Sequence, residues 1–313
     1  MNAVTINHLS KTYASGKTAV ADLTLTLNQG EIFGFLGPNG AGKTTTVKIL
    51  NGMLLPSEGT CSVFGENPSV RPEKIHAFSG VMTEHAQMYN HLSGLKNLMF
   101  YGSLFGLSEE EGRRRALELL HRLELADAAG QKLASYSTGM RQRLSIARTL
   151  MHQPRILFLD EPASGLDPES AHNVNQMILD LANDLGVTVF LCTHQLRYAQ
   201  EICTRYGLIH NGRLLIQGTL DELRTKVSSG ITVRIQADRL PQQLLRRLAD
   251  DKGSGGFPVK NEIPHDYTFQ VQSEEEIPDI VKQIIDYSGR IYHVSAERPS
   301  LEDIYFSLTS QRR

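Results

Sequence analysis

The stretch Gly37–Thr45, reading Gly-Pro-Asn-Gly-Ala-Gly-Lys-Thr-Thr, constrains the chain more than any other. It fits Gly, four residues, Gly-Lys-Thr, the pattern of a phosphate-binding loop. Gly37, Gly40 and Gly42 let the backbone turn tightly and bring its N–H groups close to an anion, with Pro38, Asn39 and Ala41 between them. Lys43 supplies a point charge for β- and γ-phosphates, and the Thr44 hydroxyl is placed to ligate Mg²⁺. The flanks agree. Glu31–Leu36 is a short apolar run suited to a buried strand, and Thr44–Leu50 opens a helix whose N-terminal dipole faces the phosphates.

Length and charge narrow the setting. The 313 residues suit about two domains. A net charge of −2 indicates no dominant basic surface, so no nucleic-acid partner is expected. No stretch reaches the ~18 apolar residues that span a bilayer. The start, Met1-Asn-Ala-Val-Thr-Ile-Asn, lacks a basic region followed by an apolar core and is not expected to be a secretory signal. Cys61, Cys192 and Cys203 are widely spaced, form no zinc pattern, and read as small core residues in a reducing cytoplasm.

Before the loop, Val4–Leu9 alternates weakly and Leu23–Leu27 alternates at period two, as a half-buried strand does. Tyr13 offers a flat face for stacking a base, or is simply a half-buried strand aromatic. After the first helix, Thr60–Phe64 is a short strand. Leu92–Leu107 is apolar enough for a helix, and Glu109–Leu123 carries helical spacing, with Arg113–Arg115 read as a solvated face. Ser137 is a plausible N-cap of a helix over Arg141–Met151. Ile156–Leu159 is a buried strand that runs into Asp160-Glu161. There one carboxylate could hold a nucleotide-bound Mg²⁺ while its neighbour activates a water. A solvated acidic turn is the competing reading, and the nearby phosphate loop counts against it.

A turn leads to the helix Ser170–Asp184, then to the buried strand Val187–Cys192. Thr193-His194 sits past its end, where ligands bind in open α/β sheets. Asn211-Gly212 signals a type I′ hairpin. After Val227–Gly230 the character changes. Strands at Ile231–Gln236, Phe257–Ile263, Tyr267–Gln272 and Ile291–Ser295 interleave with helices at Leu240–Ala249 and Glu274–Tyr287, broken at Gly253–Gly256 and closed by Leu301–Leu308. This β-α-β-β-α-β order predicts a small α+β domain without a chemical constellation.

Taken in order, Gly37–Thr45, Tyr136–Arg143 and Leu159–Asp167 resemble the ATP-binding cassette ATPases over roughly Val4 to Leu223. Tyr136-Ser-Thr-Gly-Met-Arg-Gln-Arg143 is similar to that family's signature sequence. Its wording, together with Pro299–Phe306, resembles the bacterial drug- and antibiotic-exporter branch. The resemblance implies an α/β fold: a P-loop NTPase core of cassette type with an antiparallel β subdomain and a helical subdomain at about 84–150. Residues 1–226 would form this ATP-binding domain and 231–313 an accessory domain.

The resemblance also assigns roles. Tyr13 matches the aromatic stacking on adenine. Gly37, Pro38, Asn39, Gly40, Ala41, Gly42, Lys43, Thr44 and Thr45 match the phosphate-binding residues, with Thr44 and Asp160 on Mg²⁺. Glu161 matches the general base and His194 the histidine contacting the γ-phosphate. Ser137 and Gly139 match residues that bind ATP on a second copy, and Asp167 matches the loop crossing the dimer interface. Glu84 stands where a glutamine usually contacts Mg²⁺, with Gln87 nearby, and is expected to be a working metal-side variant. The cofactors implied are ATP and Mg²⁺. The partners implied are a second copy of the chain and a separate membrane permease, which places the protein on the cytoplasmic face of the membrane. The expected function is ATP hydrolysis that powers export. A soluble cassette ATPase acting on nucleic acid or ribosomes is the alternative.

Overall fold

The computed structural model describes residues 1–83, 88–227, 230–238, 240–250, 260–263, 265–271 and 273–310. Glu84 and Gln87 lie outside the described residues, as do the expected break at Gly253–Gly256 and Phe257–Val259 of the expected strand. The chain divides into two compact units, Met1–Leu220 and Asp221–Arg313.

In the first unit, the strands β1 (Asn2–Thr12), β2 (Thr18–Asn28) and β4 (Glu58–Val63) form an antiparallel sheet in the order β2-β1-β4. A second, six-stranded sheet contains β3 (Ile32–Leu36), β5 (Ser79–Met82), β6 (Ile156–Asp160), β7 (Thr188–Thr193), β8 (Arg205–His210) and β9 (Arg213–Gly218). Its order is β5-β6-β7-β3-β8-β9, parallel as far as β8. Every residue of β3, β6 and β7 is buried, as expected of parallel strands covered on both faces. Phe190 of β7 holds this centre together. Its ring lies 5.7 Å from that of Phe33, 5.4 Å from Phe35 and 5.8 Å from Phe158. Tilted aromatic contacts of this kind add to the area they bury.

Strand order fixes what meets at the sheet's edge. Parallel register places Leu36 beside Thr193 and Asp160 beside Cys192. The segments leaving β3, β6 and β7 therefore emerge together at the carboxyl ends of three neighbouring strands, the position where open α/β sheets bind ligands. At the far edge, Asn211 and Gly212 both have positive φ, 47° and 77°, as a type I′ turn between β8 and β9 requires.

The helices of this unit are α1 (Lys43–Leu50), α2 (Pro72–Phe78), α3 (Gly94–Leu104), α4 (Glu109–Arg122), α5 (Thr138–Leu150), α6 (Pro168–Leu185) and α7 (Leu196–Ile202). Serines start three of them. Ser93 accepts from Lys96 N, Ser108 forms a capping box with Glu111, and Ser137 accepts from Met140 N, each satisfying an otherwise orphaned helix N–H. One expectation on α4 is corrected. Arg113 and Arg114 are exposed, but Arg115 is buried. Its guanidinium pairs with Glu118 at 2.8 Å and donates to the Leu150 carbonyl at 3.4 Å. The stem packs against α5 while the charge keeps partners.

The second unit contains most of α8 (Leu220–Val227), then β10 (Ile231–Ala237), α9 (Gln242–Asp250), β11 (Lys260–Ile263), β12 (Asp266–Val271), α10 (Ile277–Asp286), β13 (Ile291–Glu297) and α11 (Leu301–Ser310). Its antiparallel sheet runs β11-β12-β10-β13. Val233, Ile235 and Phe269 of the sheet pack with Leu244, Leu248, Ile280 and Ile284 of α9 and α10 into a core of its own.

Candidate active site

The loop between β3 and α1 lines a cavity of about 450 Å³ with Asn39, Gly40, Gly42, Lys43, Thr44 and Thr45, and Asp160 and Glu161 line its other side. The loop's shape depends on glycine at two places. Gly42 has φ 111°, and a Cβ there would come 2.4 Å from the Ala19 carbonyl oxygen. Gly37 runs so close to β8 that a Cβ would lie 2.1 Å from the Ile209 carbonyl oxygen. Gly37 N–H is also tied to the Thr193 carbonyl at 3.2 Å, which joins the loop's start to the end of β7.

Lys43 is buried, and its amino group donates to the carbonyls of Gly37 at 2.7 Å and Pro38 at 3.3 Å. It also lies 3.4 Å from Glu161 Oε1. Glu161 is buried as well, and two neighbours at the end of β7 hold its carboxylate. The Thr193 hydroxyl donates to Oε2 at 2.8 Å. His194 approaches Oε1 twice, through its backbone N–H at 3.0 Å and its ring Nδ1 at 2.9 Å. The backbone of Glu161 is left-handed, φ 53°, a conformation that a non-glycine residue adopts only when its surroundings impose it. Its N–H donates to the Cys192 carbonyl at 2.8 Å.

Thr44 donates its hydroxyl to Asp160 Oδ2 at 2.7 Å, so the two oxygen ligands assigned to a metal already lie together. Among the described residues no cluster of three or more His, Cys, Asp or Glu could form a metal cage. One hydroxyl and one carboxylate suit Mg²⁺, which keeps waters and takes further oxygens from substrate phosphates. The residues present fit that ion. Cys192, next to both carboxylates in space, is no competitor, since burial pushes its thiol pKa well up. All three cysteines are free and buried.

Tyr13, 36% exposed, stands at the outer rim and shares a hydrogen bond of 3.1 Å with the Thr45 hydroxyl. Lys11 Nζ lies 5.8 Å from its ring centroid. Lys17 and Ala19 also line the cavity, although no sequence motif marks either. For Lys17 the only local signal was its place in the turn just after Tyr13. In the sequence Thr193 stands out only as His194's neighbour. Its contact with Glu161 arises from the pairing of β6 with β7, which no local pattern shows.

The remaining predicted residues lie elsewhere on the chain. Ser137, Gly139 and Asp167 do not line this cavity. Ser137 caps α5, and the exposed Asp167 caps α6 by accepting from Ser170 N at 2.9 Å, which holds its carboxyl below the usual range. Gln142 on α5 donates to the Pro162 carbonyl at 2.5 Å and so links the signature helix to the turn after Glu161.

Comparison with known proteins matches residues 20–164 to the ABC transporter family and residues 218–309 to the C-terminal domain of DrrA1-3-like ATP-binding proteins. The chain is 32% identical over 314 residues to the daunorubicin resistance ATP-binding protein DrrA2 of Streptomyces coeruleorubidus, covering 99% of this chain and 96% of that one. Among solved structures, cbiO1 of Clostridium perfringens, part of the ABC transporter complex cbiONQ, superposes with a TM-score of 0.65 at 26% identity. That match covers 72% of this chain and 94% of cbiO1. The dimeric post-hydrolysis ATP-binding cassette MJ0796, bound to ADP and Pi, gives a TM-score of 0.63 at 28% identity over 69% of this chain and 98% of that one.

Proposed function

The chain belongs to the ABC transporter ATP-binding family, and from that premise we propose that it is the ATP-hydrolysing subunit of a membrane exporter for a drug-like substrate. The observation that carries the catalytic part is the buried Glu161 carboxylate, aimed at the phosphate loop and within 3.4 Å of Lys43. The loop N–H groups and Lys43 bind the β- and γ-phosphates. Tyr13 stacks on the adenine. Glu161 accepts a proton from the attacking water, and His194 turns to the γ-phosphate. Thr44 and Asp160 would hold Mg²⁺, which neutralises phosphate charge. Positioning and charge stabilisation supply most of the rate in such phosphoryl transfer.

Ser137 caps α5 and Gly139 sits in its first turn, both outside the cavity, which supports the reading that they serve ATP on a second copy, with Asp167 at the interface. A dimeric cassette among the structural neighbours supports this arrangement. ATP then holds two copies together, and hydrolysis releases them. By the resemblance alone, Glu84 is proposed as a further oxygen ligand of Mg²⁺.

A membrane subunit completes the machine. Among the described residues no helix is long and apolar enough to cross a membrane. The first unit carries an apolar slot of about 260 Å³, lined by Met53, Tyr101, Phe105 and His152 among others. Of its lining, Met53 and Phe105 stand exposed. Such a patch is suited to a helix of a partner protein. A whole-chain resemblance to a resistance ATP-binding protein, including the C-terminal domain, favours this reading over a nucleic-acid machine. The test is phosphate release by the purified chain with Mg²⁺ and ATP, alone and with the co-expressed permease in vesicles. The permease and a transported drug should raise turnover. Turnover indifferent to both would refute the transport role.

A further inference from the structure

The two carboxylate oxygens of Glu161 have different partners. Oε1 faces Lys43 and the His194 ring, and also accepts from the His194 N–H. In the proposed reaction both of those side chains turn to the γ-phosphate. Oε2 is held by the Thr193 hydroxyl, which has no such second task. Thr193 is the last residue of β7, is 6% exposed, and gives its carbonyl to Gly37 N–H. Its hydroxyl oxygen accepts from Gln195 N at 3.1 Å. The single hydroxyl hydrogen is thereby directed at Glu161.

A glutamate side chain has three rotatable bonds, and fixing its backbone does not fix its carboxylate. The left-handed turn and the N–H bond to Cys192 aim only the start of the side chain. We infer that Thr193 is a positioning residue for hydrolysis. Its hydroxyl clamps Oε2, so that when bound ATP draws Lys43 and His194 away, Oε1 is left oriented toward the attacking water. This rests on Glu161 being the general base. It adds that the base works through one oxygen, with the other anchored to the neighbouring strand.

Hydrogen bonds to charged groups are among the stronger ones, and small misplacements of a reacting group are costly. The test compares ATP hydrolysis and fluorescent-nucleotide binding for the full chain carrying Thr193→Val, Thr193→Ser and, separately, Glu161→Gln. Valine keeps the shape and removes the hydroxyl, whereas serine keeps the hydroxyl. Thr193→Val should lower kcat roughly 10- to 100-fold, with KM and nucleotide affinity within about threefold of wild type. Thr193→Ser should restore kcat to within about threefold. If valine lowers the melting temperature, Thr193→Cys, a comparable side chain with a poor donor, takes its place and should show the same kcat loss. A Thr193→Val or Thr193→Cys enzyme with kcat near wild type would overturn the inference. So would a serine variant as slow as the valine one, or a loss confined to KM. Wild-type turnover by Glu161→Gln would instead remove the base reading, whatever Thr193 does.

Discussion

Replacing Glu161 by glutamine tests the site more sharply than any other single change, because it removes a charge and leaves the shape. The amide oxygen can take the His194 N–H. The amide nitrogen can donate to Thr193 Oγ1, which has one lone pair to spare after accepting from Gln195 N. The one group left short is the Thr193 hydroxyl hydrogen, which loses its carboxylate acceptor. What disappears is the attraction between Glu161 and Lys43. At 3.4 Å and an effective dielectric of about 20, that attraction is on the order of 5 kcal/mol. Stranding a buried charge outright costs about 3 to 5 kcal/mol. Lys43 keeps the carbonyls of Gly37 and Pro38, so a loss of about 1 to 3 kcal/mol is expected in the nucleotide-free protein. For a unit of this size that is roughly 2 to 4 °C of melting temperature per kcal/mol. In the proposed reading ATP reverses the penalty, since its phosphates would replace the missing carboxylate as the partner of Lys43. The variant should therefore melt earlier than wild type without nucleotide and gain more from ATP. Its phosphate release should fall about 10²- to 10⁴-fold, the usual worth of a general base. Thermal melts with and without Mg²⁺ and ATP, beside a steady-state phosphate assay, read all three. Turnover within tenfold of wild type would show that Glu161 is not the base. An unchanged melting temperature without nucleotide would show that the Lys43 pair carries no weight.

Gly42→Ala should lose nucleotide binding by more than about tenfold in titrations, since the methyl meets the Ala19 carbonyl and φ is 111°. Ser137→Asp separates the cap that Ser137 makes from the ATP contact proposed for it. Aspartate caps a helix as well as serine does, so melting should be unchanged, while a carboxylate facing a partner's γ-phosphate should suppress ATP-driven dimerisation in size-exclusion runs. Ser137→Ala should instead cost about 1 kcal/mol of stability. His152 is partly buried, stacked on Phe105 at 3.8 Å and bonded to the Ser79 carbonyl. Burial holds its pKa below the ordinary value, outweighing that carbonyl. The unfolded chain therefore binds the proton first, and stability should fall as pH drops below about 6.5. His152→Gln should flatten that part of a melting-temperature profile.

Much of this site could be read from local pattern. The buried runs Glu31–Leu36 and Ile156–Leu159, the glycine loop and the acidic pair each announce themselves within a few residues, and β3, the loop, α1 and β6 stand where those signals put them. What stayed hidden depends on pairing between distant segments. Thr193 meets Glu161 only because β6 and β7 are neighbours in parallel register. Lys17 reaches the cavity only because the turn after β1 folds over the loop. Arg115 looked like its two exposed neighbours, and only the packing of α4 on α5 buries it. The seven-residue helices α2 and α7 offer two turns of periodicity, too little to stand out from irregular chain.

The left-handed backbone of Glu161 also bears on how such a protein would evolve under selection for robustness. A residue with a side chain gives up on the order of 1 kcal/mol to hold that conformation, and glycine would not. Glu161→Gly would relieve that strain but would strand buried Lys43 and the donors of Thr193 and His194, a larger cost, so a screen for heat resistance alone would keep the strained glutamate. At this position the group proposed as the base also ties the phosphate loop to the end of β7, so selection for durability and selection for turnover point the same way.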